Sequence, residues 1–191
     1  MSKFYKYTIG ILLSFLSIGT SQGQGIVDGF FSEKGDISFT ASYLRSSYDE
    51  FYVGENLTDP VPAHNEIDQN IYSLYAKYGL SDNFSMVVNI PYISTKGNGE
   101  PDPINGETEV SGFQDISILG KFRPYRIPVG EGNLDFITAL GINIPTGYEP
   151  NGVLSIGSGS FTIDPYLGFH LMADMGLFST VSAGYSFRGD A

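Results

Sequence analysis

The chain of 191 residues has no cysteine and no tryptophan, only two histidines, and 16% charged residues. Without cysteine there is no disulfide framework, no thiolate metal site and no N-terminal cysteine for lipid attachment. Basic residues are scarce: ten Lys and Arg stand against 21 Asp and Glu, a formal net charge of −11. A nucleic-acid partner is excluded on that ground, because phosphate recognition needs a basic surface. After Ile18 no apolar run is long enough to cross a bilayer as a helix. The one G-x-S-x-G, Gly19-Thr20-Ser21-Gln22-Gly23, falls within residues 1–25, a processing segment and not a strand-to-helix turn, so the rest of the sequence carries no nucleophile signature; no enzymatic activity, cofactor or metal is expected.

What is abundant is glycine (24), tyrosine (13) and phenylalanine (14). With so little charge, that composition suits a turn-rich all-β protein and suits a helical bundle poorly. Residues 1–25 read as a secretory signal. Lys3 and Lys6 form the basic start, Ile9 to Ile18 the apolar centre, and Gly19 to Gly25 the small-residue region where cleavage is expected. Residues 26–191 are then the mature domain, with its acids placed in solvated loops.

The clearest pattern lies in Asn70–Ser94. Tyr72, Leu74, Ala76 and Tyr78 alternate with Ser73, Tyr75 and Lys77. After the polar stretch Gly79–Asn83, Phe84, Met86, Val88, Ile90 and Tyr92 alternate with Ser85, Val87 and Asn89. Side chains in a strand change face at every residue, so this is a hairpin with one apolar and one mixed side. Apolar faces of about nine residues, ending in aromatics, match a tilted membrane strand with its rings at headgroup level.

The same pattern recurs in Gly35–Arg45 (continuing raggedly to Val53), Phe113–Arg123, Leu134–Ile144, Phe161–Leu171 and Ser179–Arg188. Long loops fall at Gly54–Glu66, Thr95–Gly112 and Pro145–Gly159. Shorter links fall at Pro124–Asn133 and at a turn through Asp174-Met175-Gly176. Alternating long and short connections are the asymmetry of outer-membrane barrels, with long extracellular loops and short periplasmic turns. The expected fold is an all-β, antiparallel, up-and-down transmembrane β-barrel. The count is about seven strands. Bacterial single-chain barrels close with an even number, so an N-terminal part, incomplete at the C-terminus, is expected.

Several short motifs carry a resemblance. They are Tyr78-Gly79-Leu80-Ser81-Asp82-Asn83 leading to Asn89-Ile90-Pro91-Tyr92, then Gly112-Phe113-Gln114-Asp115-Ile116-Ser117, and Gly120-Lys121-Phe122-Arg123. Asn143-Ile144-Pro145-Thr146-Gly147 and Gly157-Ser158-Gly159-Ser160-Phe161, followed by Asp164-Pro165, complete the set. In order and spacing, over most of Asn70–Arg188, the chain resembles the family of outer-membrane proteins named after the meta pathway of phenol degradation. The resemblance implies an outer-membrane barrel and a role in uptake of small hydrophobic or aromatic compounds.

By parity the mixed face, which would line the lumen, carries Tyr75, Lys77, Asp115, Lys121, Arg123, Asp164, Tyr166, His170 and Arg188. These side chains form either a solute path or a neutralising network that fills a narrow interior. Tyr75, Tyr166 and His170 can stack or hydrogen-bond with an aromatic solute, and Lys121 and Arg123 can attract an anionic one. Asp115 beside Lys121 and Arg123 reads as a structural cluster in the periplasmic half. The loop acids Glu100, Asp102, Glu107 and Glu109 lack EF-hand spacing and read as a solvated group. Pro91 and Pro165 lie inside strands, where they mark bends, bulges or an edge.

Three functions follow from these observations. The first is a monomeric outer-membrane channel or transporter whose partners are lipid and a small solute. The second is a structural or adhesive barrel acting through its acidic loops. The third is a soluble exported β-protein. A transporter should have a continuous lumen lined by tyrosine and charged groups; an adhesive barrel should have a plugged lumen and ordered loops.

Overall fold

The computed structural model describes residues 28–53, 55–173 and 176–190; the expected signal at 1–25 lies outside them, as do Asp174 and Met175 of the expected turn. The described residues form eleven β-segments: β1 Ile37–Tyr48, β2 Phe51–Val53, β3 Asn56–Thr58, β4 Ile67–Ser81, β5 Phe84–Gly97, β6 Glu109–Phe113, β7 Ile116–Val129, β8 Gly132–Ile144, β9 Thr162–Met172, β10 Phe178–Gly184 and β11 Phe187–Arg188. All but β2 and β3 join one antiparallel sheet in the order β1-β4-β5-β7-β8-β9-β10. β6 continues the β7 position beside β5, and β11 continues the β10 position beside β9. The result is seven up-and-down strands curled into a half-barrel, as the alternation in the sequence predicts.

Two prolines account for the interrupted strands. Pro91 has no N–H to give its neighbour. Opposite it the register shifts by one residue between Tyr92↔Phe113 and Asn89↔Ser117, and Gln114 N donates to the Pro91 carbonyl at 3.0 Å. Gln114 and Asp115 thus form a bulge, which swaps the faces of β6 relative to β7. Pro165 lies opposite the break between β10 and β11, where Tyr185 N still donates to its carbonyl at 3.2 Å. A second bulge lies between Phe122 and Tyr125. Because of it β7 runs on through Pro124 and Pro128 to a tight turn at Gly130-Glu131, where the sequence reading ends the strand at Arg123.

The period of two resolves into whole rows. On the convex face Phe39, Ala76, Val88, Ile118, Ile142, Ile163 and Phe187 stand directly opposite one another, one per strand, across all seven. Aromatics flank this band. Towards the long loops Tyr43 packs on Tyr72 and Tyr92 on Phe113, with ring centroids 5.0 and 5.3 Å apart. Towards the short turns Phe84 pairs with Phe122, and the Phe136 and Phe169 rings lie 5.2 Å apart. From Tyr92 to Phe84 is ~26 Å along the strand. At the usual tilt that is ~20 Å of height, close to the ~25 Å apolar band of membrane barrels.

The concave face carries a polar row in the same manner: Thr40, Tyr75, Asn89, Ser117, Asn143, Thr162 and Arg188. Its two ends are covered by chain outside the strands. At the short-turn end residues 28–35 run across the inner wall as a strap. At the long-loop end the three long connections pack together over a small core of Val61, Ile67 and Leu154, backed by Tyr48, Phe51, Val110 and Val153.

Candidate functional site

The inner wall falls into three levels. In the middle, neighbouring strands are tied by side-chain bonds on the polar row. Ser73 Oγ donates to Asn89 Oδ1 and Ser117 Oγ to Asn143 Oδ1, both at 2.5 Å. Asn143 Nδ2 donates to Thr162 Oγ1 and to Asp164 Oδ2, both at 2.7 Å, and Thr162 Oγ1 donates to the same Asp164 oxygen at 3.0 Å. Just below lies an apolar patch of Val87, Leu119 and Ala139, with Tyr75 and Tyr166 packed on it. Ser117, Leu119, Gly141, Asn143, Asp164 and Tyr166 line a shallow recess here. An aromatic patch beside a carboxylate held by neutral donors can take an uncharged ring bearing a hydroxyl.

At the short-turn level the charges are paired. Asp135, 2% exposed, lies between two guanidinium groups. Arg123 Nη1 donates to it at 3.1 Å, Arg126 Nε at 2.7 Å and Arg126 Nη2 at 2.9 Å. Strict alternation would put positions 123 and 126 on opposite faces. The bulge between Phe122 and Tyr125 brings both inward. Arg123 also donates to the Asp82 carbonyl and to Asn83 Oδ1. Lys121, fully buried, donates to Asp28 Oδ1 at 2.5 Å, Asp28 O at 3.1 Å and Phe30 O at 2.8 Å. Lys77 donates to Phe30 O at 2.5 Å. The Phe31 ring faces both Lys121 and Arg123, at 5.1 and 4.8 Å, a cation–π arrangement. His170 accepts or donates at Thr180 Oγ1, 2.8 Å away, and packs edge-on to Phe30 at 4.9 Å.

The expected cluster of Asp115 with Lys121 and Arg123 does not form. Six residues of strand, ~20 Å, separate Asp115 from Lys121. Asp115 sits in the bulge towards the long loops, where Tyr148 Oη donates to it at 2.5 Å. Of the other predicted residues, Tyr75, Lys77, Lys121, Arg123, Asp164, Tyr166 and His170 do share the inner wall. Arg188 stands opposite Thr162 on that wall but is exposed at the sheet edge.

At the long-loop level the acidic loop is not simply solvated. Asp102 is 1% exposed. It receives the amides of Ile104 at 2.8 Å and Val153 at 2.7 Å, and His64 Nε2 lies 3.4 Å away. One carboxylate therefore joins all three long loops. Gly152 makes this approach possible: its φ is +75°, and a Cβ there would stand 2.5 Å from Asp102 Oδ2. Burial pushes the Asp102 carboxyl up, but the two amides and His64 outweigh it and hold it below the ordinary 3.8. Tyr148, bonded to Asp115 and receiving Gly159 N at 2.8 Å, is pushed up to about 12 by burial and by that carboxylate.

Sequence reasoning missed Asp28, Phe30, His64, Asp102, Arg126 and Asp135 as parts of the interior. The Arg126–Asp135 pair has a signal in hindsight: two charges flanking a short turn on paired strands.

Fold and interior together define an antiparallel up-and-down half-barrel with an apolar outer surface and a polar inner one. Residues 64–191 match the model of the family described as "Putative MetA-pathway of phenol degradation". The chain belongs to that family, as its motifs anticipate. No curated protein and no solved structure gives a match.

Proposed function

We propose that the chain is a non-catalytic outer-membrane β-barrel, exported by a cleaved signal, that passes small hydrophobic or aromatic compounds along its inner wall. The observation that carries this reading is the pairing of rows. Seven apolar residues cross the whole sheet on one face, and seven polar residues cross it on the other. A soluble protein has no use for an exposed apolar band of that extent, whereas a bilayer requires it. Family membership supports the link to aromatic compounds. Among the described residues no helix is long and apolar enough to cross a membrane. In hydrocarbon the free edges of β1 and β10 have to be paired as well.

A second reading has its own support. The strap covers one end and the interlocked loops the other, as expected of a barrel that acts through its surface. Uptake separates the two. Protein recovered from outer membranes is placed in liposomes, and entry of phenol and benzoate is compared with empty vesicles and with the Tyr166→Ala, His170→Ala double variant. Uptake above passive leak that falls in the variant supports passage. Uptake equal to empty vesicles for both solutes favours the surface role.

A further inference from the structure

Lys121 spends all three of its N–H donors on one short segment, the strap. Lys77 Nζ reaches the same Phe30 carbonyl and stands 3.5 Å from the same Asp28 oxygen. Two ammonium groups, one fully buried and one 9% exposed, thus converge on a single carboxylate and leave one positive charge in excess. Two charged groups buried in this way are kept only where an anion meets them. Here the anion is supplied by the chain itself.

The rest of the strap completes the likeness to a ligand. Phe30 N donates to Asp28 Oδ1 at 2.9 Å, which folds carboxylate and ring into one compact unit. The Phe30 ring enters an aromatic niche, edge-on to His170 and to Phe178 with centroids 4.9 Å from each. Gly29 between them lies so close to His170 that a Cβ would stand 1.9 Å from Nδ1. Residues 28–34 add no strand to the sheet. Apart from the lysines and the ring contacts of Phe30 and Phe31, the side-chain hydrogen bonds to the strap among the described residues are those of Ser85 with Ser32 N and Asp82 with Lys34 N. A competitor needs to replace few bonds.

We propose that Lys77 and Lys121 form a binding site for an aromatic carboxylate, which Asp28 and Phe30 occupy as a built-in ligand and which the incoming solute takes over by displacing the strap. This rests on the inner wall being the solute path. It assigns anion recognition to the two lysines and not to Arg123, which is held by Asp135, Asp82 and Asn83. A carboxylate satisfies the ammonium groups that Asp28 releases; an uncharged phenol does not, because charge-assisted bonds are the strong ones here.

The chain lacks tryptophan, so Phe30→Trp gives a unique fluorescent reporter on the strap. The protein is titrated in detergent with benzoate, acetate and phenol. Benzoate should shift the Trp emission to the red and saturate. Acetate should need about tenfold more, lacking a ring for the niche, and phenol should leave the emission unchanged. Adding Asp28→Asn should lower the half-saturating benzoate concentration by about tenfold, because the internal competitor loses its charge. Lys121→Met should abolish the response; if that variant does not fold, Lys77→Met decides. A non-saturating response, an equal response to phenol or acetate, or no effect of Asp28→Asn overturns the proposal. Because the readout is binding, it is independent of passage. Displacement without liposome uptake would leave the site standing and refute transport; uptake with an unmoved strap would do the reverse.

Discussion

The Val153 amide donates to the Asp102 carboxylate at 2.7 Å across 51 residues of sequence. That bond fastens the third long loop to the second, while His64 fastens the first to the same carboxylate. Asp102→Asn weakens two backbone donors at once in a buried site and should cost about 2 kcal/mol. Hydrogen exchange should then quicken in residues 98–108 and at Val153, with the strands unaffected. Acid should mimic the substitution. The folded carboxyl sits below 3.8, so its stabilisation is present above that value and is lost as pH falls through the lower folded one. Exchange corrected for its intrinsic rate should therefore rise below pH ~4 in wild type and much less in Asp102→Asn.

Tyr148 makes the corresponding prediction in alkali. Its hydroxyl is pushed up to about 12 from an ordinary 10.0. Its contribution is thus complete below pH 10 and is lost as pH rises towards 12. The difference in phenolate absorbance between wild type and Tyr148→Phe should show one tyrosine titrating near 12. A difference curve centred at 10 would contradict the Tyr148–Asp115 bond.

Asp135 holds two arginines. Asp135→Ala leaves Arg123 buried without its carboxylate and should cost about 3–5 kcal/mol, the range for breaking a buried pair. Arg126→Gln should cost under about 1 kcal/mol, because half of that side chain is in solvent. Unfolding midpoints of the two variants in detergent check the order; equal losses would deny the burial of Arg123.

Gly141 leaves the recess by Asp164 open. An added Cβ would sit 3.4 Å from Leu119 Cδ1 and 3.5 Å from the Asp164 Cβ, an ordinary contact. Gly141→Ala should therefore fold normally but slow phenol uptake by filling the recess, and Gly141→Leu should slow it further. Unchanged uptake in both would move the solute path away from Tyr166.

The strands were legible because period two is a local signal, nowhere clearer than in Phe161–Leu171, where every second side chain faces outward as read. Proline positions were legible as irregularities, yet not their result. Whether Pro91 bends a strand or forces a bulge depends on its neighbour Gln114, 23 residues away, and one inserted residue reverses every later side chain. The bulge between Phe122 and Tyr125 does this to Arg126, turning it onto the face of Arg123 against the alternation, whereas Asp115 misses Lys121 through distance along the strand alone. The strap and the loop closure were not legible at all. Asp28 and Lys121 are 93 residues apart, and His64 and Asp102 lie in stretches whose composition is that of open loops. Only the folded sheet brings either pair together.

The central claim is that the apolar rows face lipid and the polar rows do not. Val88 and Asn89 are adjacent residues of β5, one on each face, and a single substitution at each tests it. Val88→Arg puts a charge in the middle of the apolar row, at a cost of about 2–4 kcal/mol at the midplane of a bilayer. Asn89→Arg puts the same charge on the polar row. The measurement is the amount of each variant in the outer-membrane fraction that migrates as a compact, heat-modifiable band. The account predicts that Val88→Arg is lost from that fraction while Asn89→Arg is retained near the wild-type level. Equal retention of both, or recovery of the wild type as a soluble protein without detergent, would contradict it.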